Sequence, residues 1–298
     1  MALLDGRVVG MVGSTYVRFN LEGKRVWASL VGGLVTLPSA RSWRIFTGLL
    51  RVSGERAVRD GISFGYAFVL PRVVPLNRRL GNAVIGRIPV YAGFLDFRRF
   101  LRARGWPAPV AFFANGAMPF LGACIPGAAA PNVDVRTIEQ FDAEVDVLWE
   151  EARRSREVCA VRDARYLNWR YIQHPDFDYR CAGAYQGQDM LGVVVYRVIP
   201  HKGVAYITEL LATGERGSVL RALLRHALLD VKSDGIGMVT ASFPAQSPAA
   251  RVLVRAGFQP AASRLWNLSL CVITGENGEL PELNMKKWYF SLGDWLTQ

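Results

Sequence analysis

Residues 248–258 read Pro248-Ala249-Ala250-Arg251-Val252-Leu253-Val254-Arg255-Ala256-Gly257-Phe258. The stretch predicts a short helix over Pro248–Ala256, opened by a proline and stopped by Gly257. Ahead of it stand an apolar strand, Ile236–Phe243, a long amphipathic helix, Gly217–Val231, and another strand, Gly203–Ala212. Tyr179–Tyr185 and Met190–Ile199 form a hairpin around Gly187-Gln188-Asp189. The order is strand hairpin, loop, long helix, apolar strand, short helix, Gly.

The same order occurs earlier in the chain. Val8–Phe19 and Val26–Leu37 flank the charged turn Leu21-Glu22-Gly23-Lys24, a hairpin signal. A helix over Ile45–Arg59 ends at Asp60-Gly61, a strand follows over Ile62–Leu70, and a short helix, Val74–Leu80, ends at Gly81. A repeat of this size sets the architecture. The chain reads as α/β (α+β), with two mixed-sheet halves in tandem over residues 1–104 and 134–298. Further expectations are a strand over Ile85–Phe97 and a capping box, Thr137…Gln140, opening a helical stripe of Ile138, Phe141, Val145 and Leu148. A helix over Ala164–Ile172 stops at His174-Pro175, and strands run over Ser263–Thr274 and Met285–Leu292.

Between the halves lies a connector, residues 105–133. Its stretch 107–131 has no charge, and Pro107, Pro109, Pro119, Pro126 and Pro131 break any continuous helix. Arg98, Arg99, Arg102 and Arg104 precede it. Two readings stand: a segment packed between the halves, or a shallow peripheral membrane contact.

Of the 298 residues, 51% are hydrophobic and 20% charged, which is enough for a packed core and excludes general disorder. The net charge of +11 is uneven. Residues 1–130 carry 17 Lys/Arg against 5 Asp/Glu, and residues 131–298 carry 19 against 20. The first half therefore suits an anionic partner such as cofactor phosphates, lipid headgroups or nucleic acid, with solvated arginines as the other reading. No run of aromatics interleaves with basic residues, so a nucleic-acid partner is not expected. Met1-Ala2-Leu3-Leu4-Asp5-Gly6 is too short and too soon charged for a secretory signal. Cys124, Cys159, Cys181 and Cys271 are scattered, and His174, His201 and His226 lie far apart. That pattern argues for reduced thiols in a cytoplasm and no metal cluster. No phosphate-loop or dinucleotide fingerprint occurs.

The order of elements, the Ala249–Phe258 ending, and Thr36-Leu37-Pro38-Ser39-Ala40-Arg41 at the place of a cofactor loop resemble the GNAT acyltransferase superfamily. Arg162-Asp163-Ala164-Arg165-Tyr166-Leu167-Asn168-Trp169-Arg170-Tyr171 with His174-Pro175, and the Trp288…Gly293-Asp294 tail, resemble tandem GNAT-like proteins linked with bacterial surface polysaccharides. The resemblance implies an N- or O-acyltransferase. It would use acyl-CoA, such as acetyl-CoA, as co-substrate and an amine or hydroxyl of a small molecule or sugar as acceptor. A full half of that fold begins with a strand and two helices before its hairpin, so the first half here reads as truncated at its N-terminus.

The family holds the cofactor phosphates on a loop of pattern Arg/Gln-x-x-Gly-x-Gly/Ala that leads into a helix, where bare backbone N–H groups meet the anion. In the first half Arg41 and Arg44 stand there, but Arg44 and Phe46 replace both small residues. In the second half the stretch is Gly214-Glu215-Arg216-Gly217-Ser218-Val219. Its candidates are Leu211, Ala212, Arg216, Gly217 and Ser218. Glu209, the one acid in an apolar strand, is the candidate base, and a place on the solvent face is the alternative. The tyrosine that often serves the family as acid is Leu253 here and Asn77 in the first half, which leaves Tyr206 and Ser247 as candidates. Arg162, Tyr166 and Arg170 recur every four residues and line either a substrate cleft or a solvated helix face. Two other functions remain open: a non-catalytic GNAT-fold binding or scaffold protein, and an aminoacyl-tRNA-dependent transferase of the peptidoglycan-bridge type.

Overall fold

Strands β1 (Ala2–Leu4), β2 (Arg7–Leu21) and β3 (Lys24–Thr36) open the chain. Glu22 and Gly23 join β2 to β3 with φ of 50° and 89°. Positive φ at both central residues is the hairpin turn whose twist matches the strands. The computed structural model describes residues 1–106, 125–127, 132–261, 268–273 and 281–295. Of the uncharged stretch 107–131, all but residues 125–127 lies outside these.

Helix α1 (Trp43–Arg59) then crosses to β4 (Phe64–Val69), which runs parallel to β3. Next come α2 (Val74–Arg79), β5 (Ala83–Arg87), β6 (Tyr91–Phe94) and α3 (Phe97–Arg102). The strand expected over Ile85–Phe97 is thus two strands, broken where Pro89 withholds an N–H from any ladder.

The second half begins with β7 (Asp134–Ile138) and α4 (Ala143–Ala152). Here the capping-box expectation is corrected. Thr137 sits in β7 opposite Ala182, and Asp142 caps the helix by accepting from the Glu144 N–H. Strand β8 (Val158–Ala160) was not foreseen; it pairs with β2. Helix α5 (Ala164–Leu167) runs into a wider π-turn over Asn168–Ile172. β9 (Arg180–Gln186), β10 (Asp189–Ile199) and β11 (Val204–Ala212) form a meander. Helix α6 (Gly217–Ser233) crosses to β12 (Met238–Ala241), parallel to β11, and α7 (Pro248–Arg255), β13 (Gln259–Pro260) and β14 (Ser269–Ile273) follow. Residues 285–287 and 292–294 are single helical turns, so the expected strand Met285–Leu292 is not formed.

Among the described residues two seven-stranded mixed sheets result. One runs β1-β2-β3-β4-β14-β5 with β8 also on β2; the other runs β13-β6-β12-β11-β10-β9-β7. The fold is α/β and GNAT-like. The halves exchange strands: β6 pairs with β12, while β8 pairs with β2 and β14 with β4 and β5.

The two sheets share two irregularities. In each, the parallel pair holds only at its start: Ala28–Leu30 with Phe64–Tyr66, and Val204–Ile207 with Met238–Ala241. Beyond these, β3 and β11 run on unpaired with the parallel neighbour. In each, the outgoing strand also carries a bulge, between Gly32 and Val35 in β3 and at Thr208 in β11. The halves differ in packing. Helix α6 buries eight side chains, including Leu220, Leu223, Leu224 and Leu228, whereas the equally long α1 buries only Leu49. No helix among the described residues is long and apolar enough to cross a membrane.

Candidate active site

Thr208 sets the geometry. It is the extra residue in β11, with Val195 facing Glu209 and Tyr196 facing Ile207, and its hydroxyl donates to the Val195 carbonyl at 3.0 Å. A bulge of this kind re-aims the next side chain. Glu209 accordingly points inward and is 1% exposed, so the solvent-face alternative is set aside. Its Oε1 accepts from the Tyr171 hydroxyl at 2.9 Å and from the Ser291 hydroxyl at 2.9 Å. Arg162 Nε lies 3.4 Å from the same oxygen. Burial raises the Glu209 pKa, the Arg162 charge opposes this, and the Asp294 charge adds to it. One buried cation thus faces two buried carboxylates, an arrangement that holds the Glu209 pKa above the usual carboxylate value.

The C-terminal segment closes over this carboxyl. Asp294 Oδ2 is bound by Arg162 Nη2 at 2.6 Å and by the Ser291 N–H at 2.8 Å. Arg170 donates to the carbonyls of Gly293 and Trp295 at 3.0 and 3.1 Å. The tail is joined to both cores: Trp288, Phe290 and Trp295 pack in the first, Tyr289 in the second. Arg162 and Arg170 therefore do not lie on a solvated helix face. Arg162 is fully buried ahead of α5, and the π-turn carries Arg170 to the tail and Tyr171 to Glu209. Such turns recur at functional sites.

Beside this network lies a cleft of about 360 Å³, lined by Ser155, Arg156, residues 244–248 and residues 284–289. Tyr289 is the partition. Its ring lines the cleft and lies under the Arg156 guanidinium, 4.9 Å from the ring centre, while its hydroxyl donates to the Leu210 carbonyl at 3.4 Å. Ser247 also faces the cleft, but its Oγ caps α7 by accepting from the Ala250 N–H at 3.1 Å. Tyr206 is not brought to Glu209: it is half-buried against the first core, near Arg104 and Arg197.

Leu211 and Ala212 end β11 and are buried, and their strand leads into the turn Thr213–Glu215. Arg216 precedes α6 and gives it no side-chain cap, so the first N–H groups of this long helix are unpaired by side chains. Gly217 is exposed, with no atom within 4 Å of where a Cβ would stand, and Ser218 follows it. The end of α6 thus fits an anion. The first half differs. Ser42 Oγ accepts from the Ile45 N–H at 3.2 Å and takes up the end of α1, leaving Arg41 and Arg44 exposed at the surface. Among the described residues no group of His, Cys, Asp and Glu is set to hold a metal ion.

Sequence reasoning missed Tyr171, Ser291 and Tyr289 as site residues. Their signals were the motif Arg162–Tyr171, which ends on Tyr171, and the tail Trp288…Gly293-Asp294, which contains Tyr289 and Ser291.

No family model matches the chain, and no curated protein is similar to it. Solved structures are. A conserved protein from Enterococcus faecalis V583, described as a probable N-acyltransferase, superposes with a TM-score of 0.60 at 13% identity, over 92% of this chain and 61% of its own. Saccharomyces cerevisiae N-myristoyltransferase with bound myristoyl-CoA gives 0.62 at 12% identity, over 96% and 73%. A GCN5-related N-acetyltransferase from Kribbella flavida gives 0.54 at 18% identity, over 89% and 57%. The chain therefore spans less than two thirds of the Enterococcus and Kribbella proteins. These likenesses establish a shared fold.

Proposed function

We propose that this chain transfers an acyl group from acyl-CoA to an amine or hydroxyl of a small-molecule or sugar acceptor. The observation that carries the reading is the pairing of an uncapped α6 N-terminus with the strand before it, whose bulge sets a buried carboxyl just past the point where β11 and β12 cease to pair. The phosphates would lie on the N–H groups of Gly217 and Ser218 with Arg216 beside them, and the thiol arm along Leu211 and Ala212. That the yeast neighbour binds myristoyl-CoA supports an acyl-CoA co-substrate. Acetyl-CoA is the simplest donor.

In this reaction the acceptor's nitrogen or oxygen attacks the thioester carbonyl, the C–S bond breaks, and the thiolate leaves with a proton. Glu209 is the proton acceptor in our reading, reached through the hydroxyls of Ser291 and Tyr171 that donate to it. Tyr289, whose hydroxyl meets the Leu210 carbonyl, is our candidate to face the departing thiolate, beside Tyr206 and Ser247.

A second reading, acyl-CoA binding without turnover, is favoured by one observation: Glu209 is 1% exposed and walled off by the tail. Thiol release from acetyl-CoA and longer acyl-CoAs, measured with a panel of amines and sugars, separates the two. Turnover that falls in Glu209→Gln supports transfer. Binding with no thiol release for any acceptor supports the second reading.

A further inference from the structure

A second open cleft, of about 450 Å³, has no lining residue in common with the first. Its walls come from both halves. Tyr16 and Arg18 stand two residues apart on β2, hence on one face, and Trp27 on β3 is paired with Arg18. Tyr166 and Trp169 come from α5 and the π-turn, ring centres 5.8 Å apart. Arg165 lies at the rim.

Trp27, Trp169 and Tyr16 are 48%, 51% and 37% exposed, an unusual concentration of aromatic surface left to water. Tyr16, Arg18 and the start of α5 are held in place. The Tyr16 hydroxyl donates to Asp60 at 2.8 Å, and Asp60 is itself gripped by Arg56. Asp163 takes Arg18 at 2.6 Å on one oxygen and the Tyr166 N–H at 2.9 Å on the other. A rigid platform of this sort loses little entropy when a ligand lands on it.

The lining selects the ligand. Four aromatic rings would suit a quaternary cation, but Arg18 and Arg165 repel one. An acyl chain needs an apolar tunnel, and this cleft is shallow with polar edges. A sugar ring fits both features: its C–H faces pack on aromatic faces, and its hydroxyls reach the guanidinium of Arg165 and the amide of Gln173. Neither of these side chains is hydrogen-bonded to any other described residue.

The site is also connected to the network described above. The ring of Tyr166 lines the cleft, while its hydroxyl is withdrawn inside, where burial and the Asp294 carboxylate raise its pKa. Tyr166 thus stands to the second cleft as Tyr289 stands to the first.

We propose that the aromatic cleft of Tyr16, Trp27, Tyr166 and Trp169 binds a pyranose ring, the sugar end of the acyl acceptor. The word acceptor rests on the acyl-transfer reading; sugar binding does not.

Saturation-transfer NMR and calorimetry with cellobiose, maltose, N-acetylglucosamine and glucuronic acid, without acyl-CoA, test this. At least one sugar should bind saturably. Trp27→Ala and Trp169→Ala should each weaken it roughly three- to tenfold, the range expected for one aromatic contact. Trp43→Ala, equally exposed on α1, should leave it unchanged, and Trp169→Phe should recover part of the loss. Both cleft tryptophans are half exposed, so thermal midpoints should hold. Failure of every sugar to bind, or binding indifferent to both cleft variants, overturns the proposal. Acyl-CoA affinity is measured separately on the same proteins. Intact acyl-CoA binding without sugar binding overturns only the cleft, and sugar binding without acyl-CoA binding overturns the acceptor role.

Discussion

Arg162 and Asp294 are 132 residues apart in sequence, yet Arg162 Nη2 lies 2.6 Å from Asp294 Oδ2, with the two side chains 1% and 3% exposed. The pair pins the C-terminal segment beneath β11. Removing one partner of a buried pair strands the other charge and costs about 3–5 kcal/mol. Arg162→Met should lose stability on that scale in denaturant unfolding. Arg162→Met with Asp294→Leu should lose less than Arg162→Met alone, because no charge at position 294 is then left unpaired.

Gly293 is placed by contact. A Cβ on it would stand 1.9 Å from the Tyr171 hydroxyl oxygen and 2.8 Å from Glu209 Oε1. Gly293→Ala must push Tyr171 or the tail aside, at a cost of about 1–3 kcal/mol for overpacking. Calorimetry should show a lowered midpoint, and Gly293→Ala combined with Tyr171→Phe should recover part of it.

The pH dependence of stability follows from Glu209. Burial, with the Asp294 charge, raises its pKa against the opposing Arg162. A carboxyl raised in the folded state stabilises the fold fully below its ordinary value of 4.5, and that contribution is lost as pH rises through the raised value. Glu209→Gln does not titrate there. The stability difference between the two proteins should therefore shift in favour of Gln as pH climbs from 4.5 toward neutrality, by at most about 1.4 kcal/mol per pH unit. A shift in favour of the native protein would contradict the assignment.

Cys159 and Cys181 are buried, and burial pushes each thiol up to about 12; Cys271 is pushed up to about 11. The thiolate is the reactive form. Iodoacetamide at mildly alkaline pH should leave all three unmodified in the native protein and label them after unfolding, as read by peptide mass spectrometry.

Much of the local structure was legible in the chain. The Glu22-Gly23 turn, the amphipathic spacing over Gly217–Val231 and the Gly257 stop each rest on contacts within a few residues. The exchange of β6 and β14 was not legible, because each pairs with a strand more than a hundred residues away. The Thr137 capping box misled for the same reason: pairing with β9 overrode a local helix signal. Glu209 was found as the lone acid of an apolar strand. Its inward aim came from the Thr208 bulge, and strict alternation hides a bulge. Tyr171, Ser291 and Tyr289 were invisible as site residues because the π-turn that aims Tyr171 and the tail that carries Ser291 and Tyr289 are placed by tertiary packing.

The central claim is that the bare N-terminus of α6 receives the phosphates of acyl-CoA. Calorimetric titration of acetyl-CoA and longer acyl-CoAs into the native protein and into Gly217→Trp tests it most directly, since position 217 is open and the substitution leaves the core untouched. The account predicts saturable binding that Gly217→Trp abolishes while the thermal midpoint stays put. No binding of any acyl-CoA, or equal binding by Gly217→Trp, would contradict it.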